Sequence, residues 1–303
     1  MIDSLEDFEE SYEMYEAKDC KGRTPFHYAA LYKNVDLIIN LSQSSNPLLK
    51  DSLGLSVLDV AILSGEIRSV QIITTELNWT AYTETDCVRA MKCAFYSGNI
   101  EIIDFIIEEH HISLDLLDKT DNSNTLHWAI DSPTLDISYL LNSEKVRNLI
   151  NQGDKSKRTP LHLAAKIDGP RGSELCETLL EYNADPLVTD SKYLTSFHYA
   201  ATANGASLDT LLRKTDGKIK KPNFGKMESR FVKMPCLHVA ISRSKEESFQ
   251  ILLNQIGNEF DPNVVDKHRV GLLFHFIIIN TILILILEYC IILLCKIWIK
   301  RII

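Results

Sequence analysis

A seven-residue motif returns along this chain and constrains its fold more than any other feature. It reads Thr24-Pro25-Phe26-His27-Tyr28-Ala29-Ala30, then Thr159-Pro160-Leu161-His162-Leu163-Ala164-Ala165, then Thr195-Ser196-Phe197-His198-Tyr199-Ala200-Ala201. Weaker copies fill the gaps at Ser56–Ala61, Arg89–Ala94, Asn124–Ala129 and Pro235–Ala240. The position held by His in the clearest copies falls at 27, 59, 92, 127, 162, 198 and 238, in steps of 32, 33, 35, 35, 36 and 40 residues. A recurring period of this size marks a repeat architecture, in which each unit buries its apolar face only against its neighbours.

The local chemistry of one unit follows from its residue types. Thr24 and Thr159 are suited to cap a helix with a hydroxyl. Pro25 and Pro160 then sit at the first helical position, where a missing N–H costs nothing. Leu161, Ala164 and Ala165 place one large and two small apolar residues on one face, so a short first helix can approach its neighbour closely. A second apolar stripe follows at helical spacing, as in Ile100, Ile103, Ile106 and Ile107, or Leu135, Ile137, Leu140 and Leu141. Gly65 and Gly98, six residues past the His position, suit a left-handed turn between the two helices, whereas Lys33, Pro133 and Ser244 in that place predict less regular turns.

Motif and period together resemble the ankyrin-repeat family, over roughly Asp19 to Lys267: seven repeats and the opening of an eighth. The resemblance implies an all-α solenoid of about seven helix-turn-helix repeats with hairpin loops, here followed by an apolar C-terminal helix. It also implies that His27, His127, His162, His198 and His238 are architectural, each bridging backbone groups of adjacent loops. Thr24, Pro25, Thr159 and Pro160 complete that structural motif. By the same resemblance the hairpin tips and first helices form a concave face that binds a protein partner. The candidate contacts on the tips are Lys21, Arg23, Lys155, Lys157, Arg158, Lys192 and Tyr193.

The chain departs from the pattern in four places. Repeat three has lost Thr, Pro and His together, and Asp59 holds the His position of repeat two, which predicts looser second and third units. Asp168-Gly169-Pro170-Arg171-Gly172-Ser173 is rich in glycine and proline and is expected to bulge as a surface loop. Residues 214–233 form a basic insert with Lys220, Lys221 and Phe224 as candidate contacts for an acidic protein, a phosphoinositide or RNA, against the alternative of a solvated loop. Residues 1–18 are acidic, with Leu5, Phe8, Tyr12 and Tyr15 at helical steps, and read as a cap for the first repeat or as an acidic tail.

Reaction chemistry is missing from the pattern. No phosphate-binding loop, nucleophile elbow or His-Glu-x-x-His helix occurs, and Glu108-Glu109-His110-His111 reads as the end of a helix. The expectation is a noncatalytic scaffold or adaptor with no cofactor and no metal. A net charge of −9 argues against nucleic acid as partner. Seven scattered cysteines without a Cys-x-x-Cys pair suit a reducing, cytoplasmic compartment.

Val270 to Leu287 carries no formal charge, and residues 270–295 form a transmembrane candidate that would anchor the ankyrin domain through a single C-terminal pass. Two alternatives stand beside that anchor. The Ile- and Leu-rich composition is also that expected of a translated noncoding stretch interrupting an eighth repeat. A chain of this kind could equally be the N-terminal ankyrin fragment of a larger membrane protein, such as an ankyrin-bearing cation channel. Leu126-His127-Trp128-Ala129 is similar to inversin-type scaffolds and favours a longer scaffold instead.

Overall fold

A computed structural model describes residues 15–76, 83–203, 205–215 and 236–256. Residues 1–14 of the acidic segment, most of the basic insert with Lys220, Lys221 and Phe224, and the apolar stretch 270–295 lie outside the described residues. Among those described, helix follows helix without a strand, and isolated bridges at Lys50–Ser56 and Leu117–Asn124 mark hairpin loops. No helix among them is long and apolar enough to cross a membrane.

The chain divides into two compact units, Met1–Leu149 and Ile150–Ile303. The first unit runs α1 Pro25–Leu31, α2 Val35–Ser42, α3 Val57–Ser64, α4 Ile67–Glu76, α5 Glu84–Ser97, α6 Ile100–His110, α7 Thr125–Ile130, α8 Ser138–Leu141 and α9 Glu144–Arg147. The second runs α10 Pro160–Lys166, α11 Pro170–Glu181, α12 Ser196–Ala200, α13 Ala206–Thr215, α14 Cys236–Ser242 and α15 Glu246–Ile256. In the first unit α1 packs on α3, α3 on α5 and α5 on α7, while α2 packs on α4 and α4 on α6. In the second, α10 packs on α12 and α12 on α14, while α11 packs on α13 and α13 on α15. First helices therefore stack on first helices and second on second, the layered arrangement that a repeat needs to close its core.

The motif explains the stacking. Phe26, Leu126, Leu161, Phe197 and Leu237 are each fully buried, and each such side chain stabilises by about 1.5–3 kcal/mol. Ala29, Ala30, Ala164, Ala165, Ala200 and Ala201 are buried beside them, too small to hold the helices apart. Turns between paired helices use the left-handed backbone: φ is +76° at Gly65 and +67° at Gly98, and Lys33 (+56°) and Ser244 (+53°) adopt the same conformation without being glycine. Those two turns are thus as regular as the glycine ones, contrary to expectation.

Three further expectations are corrected. Pro170 opens α11 as its first residue, so the stretch from Asp168 is no bulging loop. Gly172 is buried there, and a Cβ at this position would collide with the Ile167 carbonyl and the Ser207 hydroxyl. The second stripe of repeat four folds as two single turns, α8 and α9, rather than one helix. Lys214, counted with the basic insert, sits on α13 and pairs with Glu177 and Glu181 of α11 at 2.5 and 2.9 Å.

Candidate functional site

The His positions are where each repeat meets the next. Thr159 donates its backbone N–H to His162 Nδ1 at 3.1 Å, which makes Nδ1 the acceptor and leaves the ring proton on Nε2. Nε2 lies 3.0 Å from the Leu194 carbonyl of the following hairpin and donates to it. His27 repeats the arrangement with Thr24 (3.2 Å) and Leu55 (3.3 Å). Asn124 and Thr195 donate to His127 and His198 in the same way, at 3.3 and 3.1 Å, and His238 is fully buried on α14. Burial, only partly offset by the carbonyl acceptors, lowers the pKa of His27 and His162, so both rings are held neutral. Pro25 and Pro160 open α1 and α10 immediately ahead of these rings.

Repeats two and three keep the joint and change its chemistry. Asp59 is fully buried, and its Oδ2 accepts from the Ser56 N–H and hydroxyl, both at 2.7 Å, in place of the imidazole. A carboxylate can only accept, so the neighbouring repeat must offer a donor. It offers Arg89, whose Nε lies 2.6 Å from Asp59 Oδ2 and whose second arm reaches Asp86 at 2.7 Å. Burial disfavours the Asp86 anion, but donors on Thr83, Lys50 and Arg89 outweigh that and hold its carboxyl well below the usual range. Lys92, in the third His position, can only donate; it pairs with Asp118 of the next hairpin and lies 5.2 Å above the Trp128 ring. Burial opposes the Asp118 anion too, yet Lys92 and Thr120 bring its pKa down to about 2.

These pairings bridge the joints of repeats two and three, where the missing motif residues predicted looser units. Helix α5 starts at Glu84 under a Thr83–Asp86 capping box, several residues ahead of the motif. Arg89 is consequently inside the helix rather than at its start. Arg89 and Asp118 were missed in the sequence, although a charge at two of the repeating His positions was a signal that each needed a partner about one period away.

The hairpin tips share a second device absent from the motif reading. Asp19, Asp51, Asp154 and Asp190 each accept two backbone N–H groups, from the residues two and four places on, at 2.8–3.0 Å. The residue three places on then takes a left-handed backbone: Gly22 (+71°), Gly54 (+78°), Lys157 (+60°) and Tyr193 (+63°). Adjacent tips are joined by Ser52 N–H to the Lys21 carbonyl and by Ser191 N–H to the Ser156 carbonyl, each at 2.8 Å. Lys21 and Arg23 therefore stand on one tip pair of the first unit, and Lys155, Lys157, Arg158, Lys192 and Tyr193 on one tip pair of the second. Arg23 turns toward Asp51 at 3.5 Å, and Arg158 binds Asp154 at 2.6 Å.

Large apolar side chains are exposed in register on the first unit. Leu31, Leu63 and Tyr96 each lie four residues past a His position, on α1, α3 and α5, and are 39%, 37% and 57% exposed. Tyr32 and Leu53 are 74% exposed nearby in sequence. At the same register of later repeats stand Asp131, Lys166 and Ser242, all exposed and polar.

Two buried thiols are held inert. Burial pushes the thiols of Cys93 and Cys176 up to about 12, so both are protonated at neutral pH. His111 closes α6 in a left-handed conformation, as the Glu108–His111 stretch suggested, and among the described residues no group of side chains is placed to hold a metal ion.

Two family models agree with this architecture. Residues 90–190 match the family model for ankyrin repeats, in three copies, and residues 21–52 match that for a single ankyrin repeat. Among solved structures, the ankyrin repeat domain of Bcl-3, titled a unique member of the IkappaB protein family, is similar at 17% identity and a TM-score of 0.47, over 67% of this chain and 88% of that one. No curated protein matches the chain. Ankyrin repeats generally serve as noncatalytic modules for protein–protein interaction. The recurring motif, the stacked helix pairs and the two matched segments, 21–52 and 90–190, show an ankyrin-repeat fold.

Proposed function

We propose that the chain is a scaffold that holds a protein partner on the exposed faces of its first helices and on its hairpin tips. The observation that carries this reading is the row Leu31, Leu63 and Tyr96: three large apolar side chains exposed at one register of three helices stacked on one another. A chain gains no stability from holding such a row in water, and large apolar side chains exposed on stacked helices suit a protein interface. The His27, Asp59 and Lys92 positions four residues earlier hold the helices that present it.

The test is affinity capture from cell extract with the full chain and with Leu63→Asp/Tyr96→Asp. Both positions are exposed, so the variant should fold with an unchanged melting temperature and lose the partners bound by the wild type. An unchanged partner set would contradict this surface. The uncharged run Val270–Leu287 favours a second element, a tether that holds the ankyrin domain at the cytosolic side of a membrane. Resistance of the full chain to alkaline carbonate extraction, abolished by Leu283→Arg/Leu285→Arg, is the result expected of a tether; extraction of the wild type into the soluble fraction would exclude it.

A further inference from the structure

Two tips of the first unit turn left-handed at Gly22 and Gly54, where a residue without Cβ adopts that conformation freely, and a third does so at Asn122 (φ +58°). Lys157 and Tyr193 do so in the second, at φ +60° and +63°, a conformation that L residues with a Cβ adopt at a cost.

The charge around these two apices is one-sided. Lys155, Lys157 and Lys192 are all exposed and form no ion pair among the described residues. The two nearby carboxylates point inward. Asp154 is spent on the Ser156 and Arg158 N–H groups and the Arg158 guanidinium, and Asp190 on the Lys192 and Leu194 N–H groups and the Tyr199 hydroxyl at 2.8 Å. The Ser191–Ser156 backbone bond fixes the two tips side by side, so the three ammonium groups and Tyr193 share one presented edge.

We propose that the tips at 154–158 and 190–194 form a docking edge for an acidic polypeptide segment of a protein partner. The proposal rests on the scaffold reading but uses a different surface from the apolar row. Carboxylates of an extended segment would pair with Lys155, Lys157 and Lys192, and the Tyr193 ring would cover apolar side chains between them. Three lysines on a chain of net charge −9 suit a short acidic segment better than a polyanion such as RNA, whose binding needs a broad basic field.

The test is fluorescence anisotropy of a fluorescein-labelled peptide of repeated Glu-Asp-Gly, titrated with the full chain in neutral detergent. Binding that weakens with added salt is expected, with affinity reduced about tenfold by Lys155→Gln/Lys157→Gln/Lys192→Gln. A second variant, Lys157→Gly/Tyr193→Gly, relieves the left-handed strain; it should keep or raise the melting temperature while weakening the peptide. Equal affinity of wild type and both variants, equal binding of a Gln-Asn-Gly peptide, or displacement of the acidic peptide by a single-stranded RNA bound more tightly at these lysines would overturn the proposal. Because Leu63→Asp/Tyr96→Asp leaves these tips intact, loss of partner capture with that variant and failure of the acidic peptide report on the two readings separately.

Discussion

The joint between repeats five and six and the joint between repeats two and three occupy the same place and use opposite chemistry. At the first, neutral His162 accepts from Thr159 and donates to the Leu194 carbonyl. At the second, Asp59 accepts from Ser56 and then from Arg89. The imidazole needs nothing special from its neighbour, because every hairpin has a carbonyl to offer. The carboxylate needs a donor that only a suitable side chain supplies. What repeats is therefore a requirement for complementary donor and acceptor across the joint, and Lys92 with Asp118 meets it in a third way.

The comparison is broken most severely by removing one member of the ion pair. Arg89→Ala leaves a fully buried Asp59 carboxylate without its counter-ion and should destabilise the first unit by roughly 3–5 kcal/mol, measured by urea unfolding. Adding Asp59→His to Arg89→Ala removes that buried charge and should recover most of the loss. If the double variant is no more stable than Arg89→Ala, the two joints are not interchangeable.

The imidazole joint should break more gently. His162→Ala removes hydrogen bonds between neutral groups and leaves the Thr159 N–H and Leu194 carbonyl without this partner, for a loss of about 2 kcal/mol by the same measurement. Smaller still, and sharper in kind, is the response to acid. His27 and His162 have folded pKa values lowered from 6.5, chiefly by burial, so the unfolded chain takes up protons first as pH falls. Their contribution is complete above pH 6.5 and is lost as pH falls through the lower folded values. Asp118 runs from 3.8 unfolded to about 2 folded, so its contribution persists until pH falls below 3.8 toward about 2. Melting temperature should therefore decline between pH 7 and pH 5 in the wild type and decline less in His162→Ala; parallel slopes would show that this ring does not titrate with unfolding.

Which half of this was legible follows the same line. Thr159, Pro160 and His162 lie within four residues, so spacing alone predicted a capped helix, and the family resemblance supplied the bridging ring. Asp59 and Arg89 lie thirty residues apart on adjacent layers, and no local pattern ties them. The Thr83–Asp86 capping box moved the start of α5 ahead of the motif, and a motif-centred view could not register that shift. Asp168 to Ser173 misled for a different reason: Gly and Pro signal a loop by frequency, but Pro suits a first helical position and Gly172 suits a close approach to Ile167. The exposed row four residues past each His position was readable in register and not in exposure, because burial depends on what neighbouring layers cover.

The central claim is that His-position side chains join repeats while the residues around them on tips and first helices meet a partner. Hydrogen-exchange footprinting of the full chain with a captured partner tests it most directly. The account predicts new protection at the tips and at the exposed ends of the first helices, around Leu63, Tyr96 and residues 154–158 and 190–194, with the second helices unchanged. Protection confined to the second helices, Ile67–Glu76, Ile100–His110 and Pro170–Glu181, would contradict it.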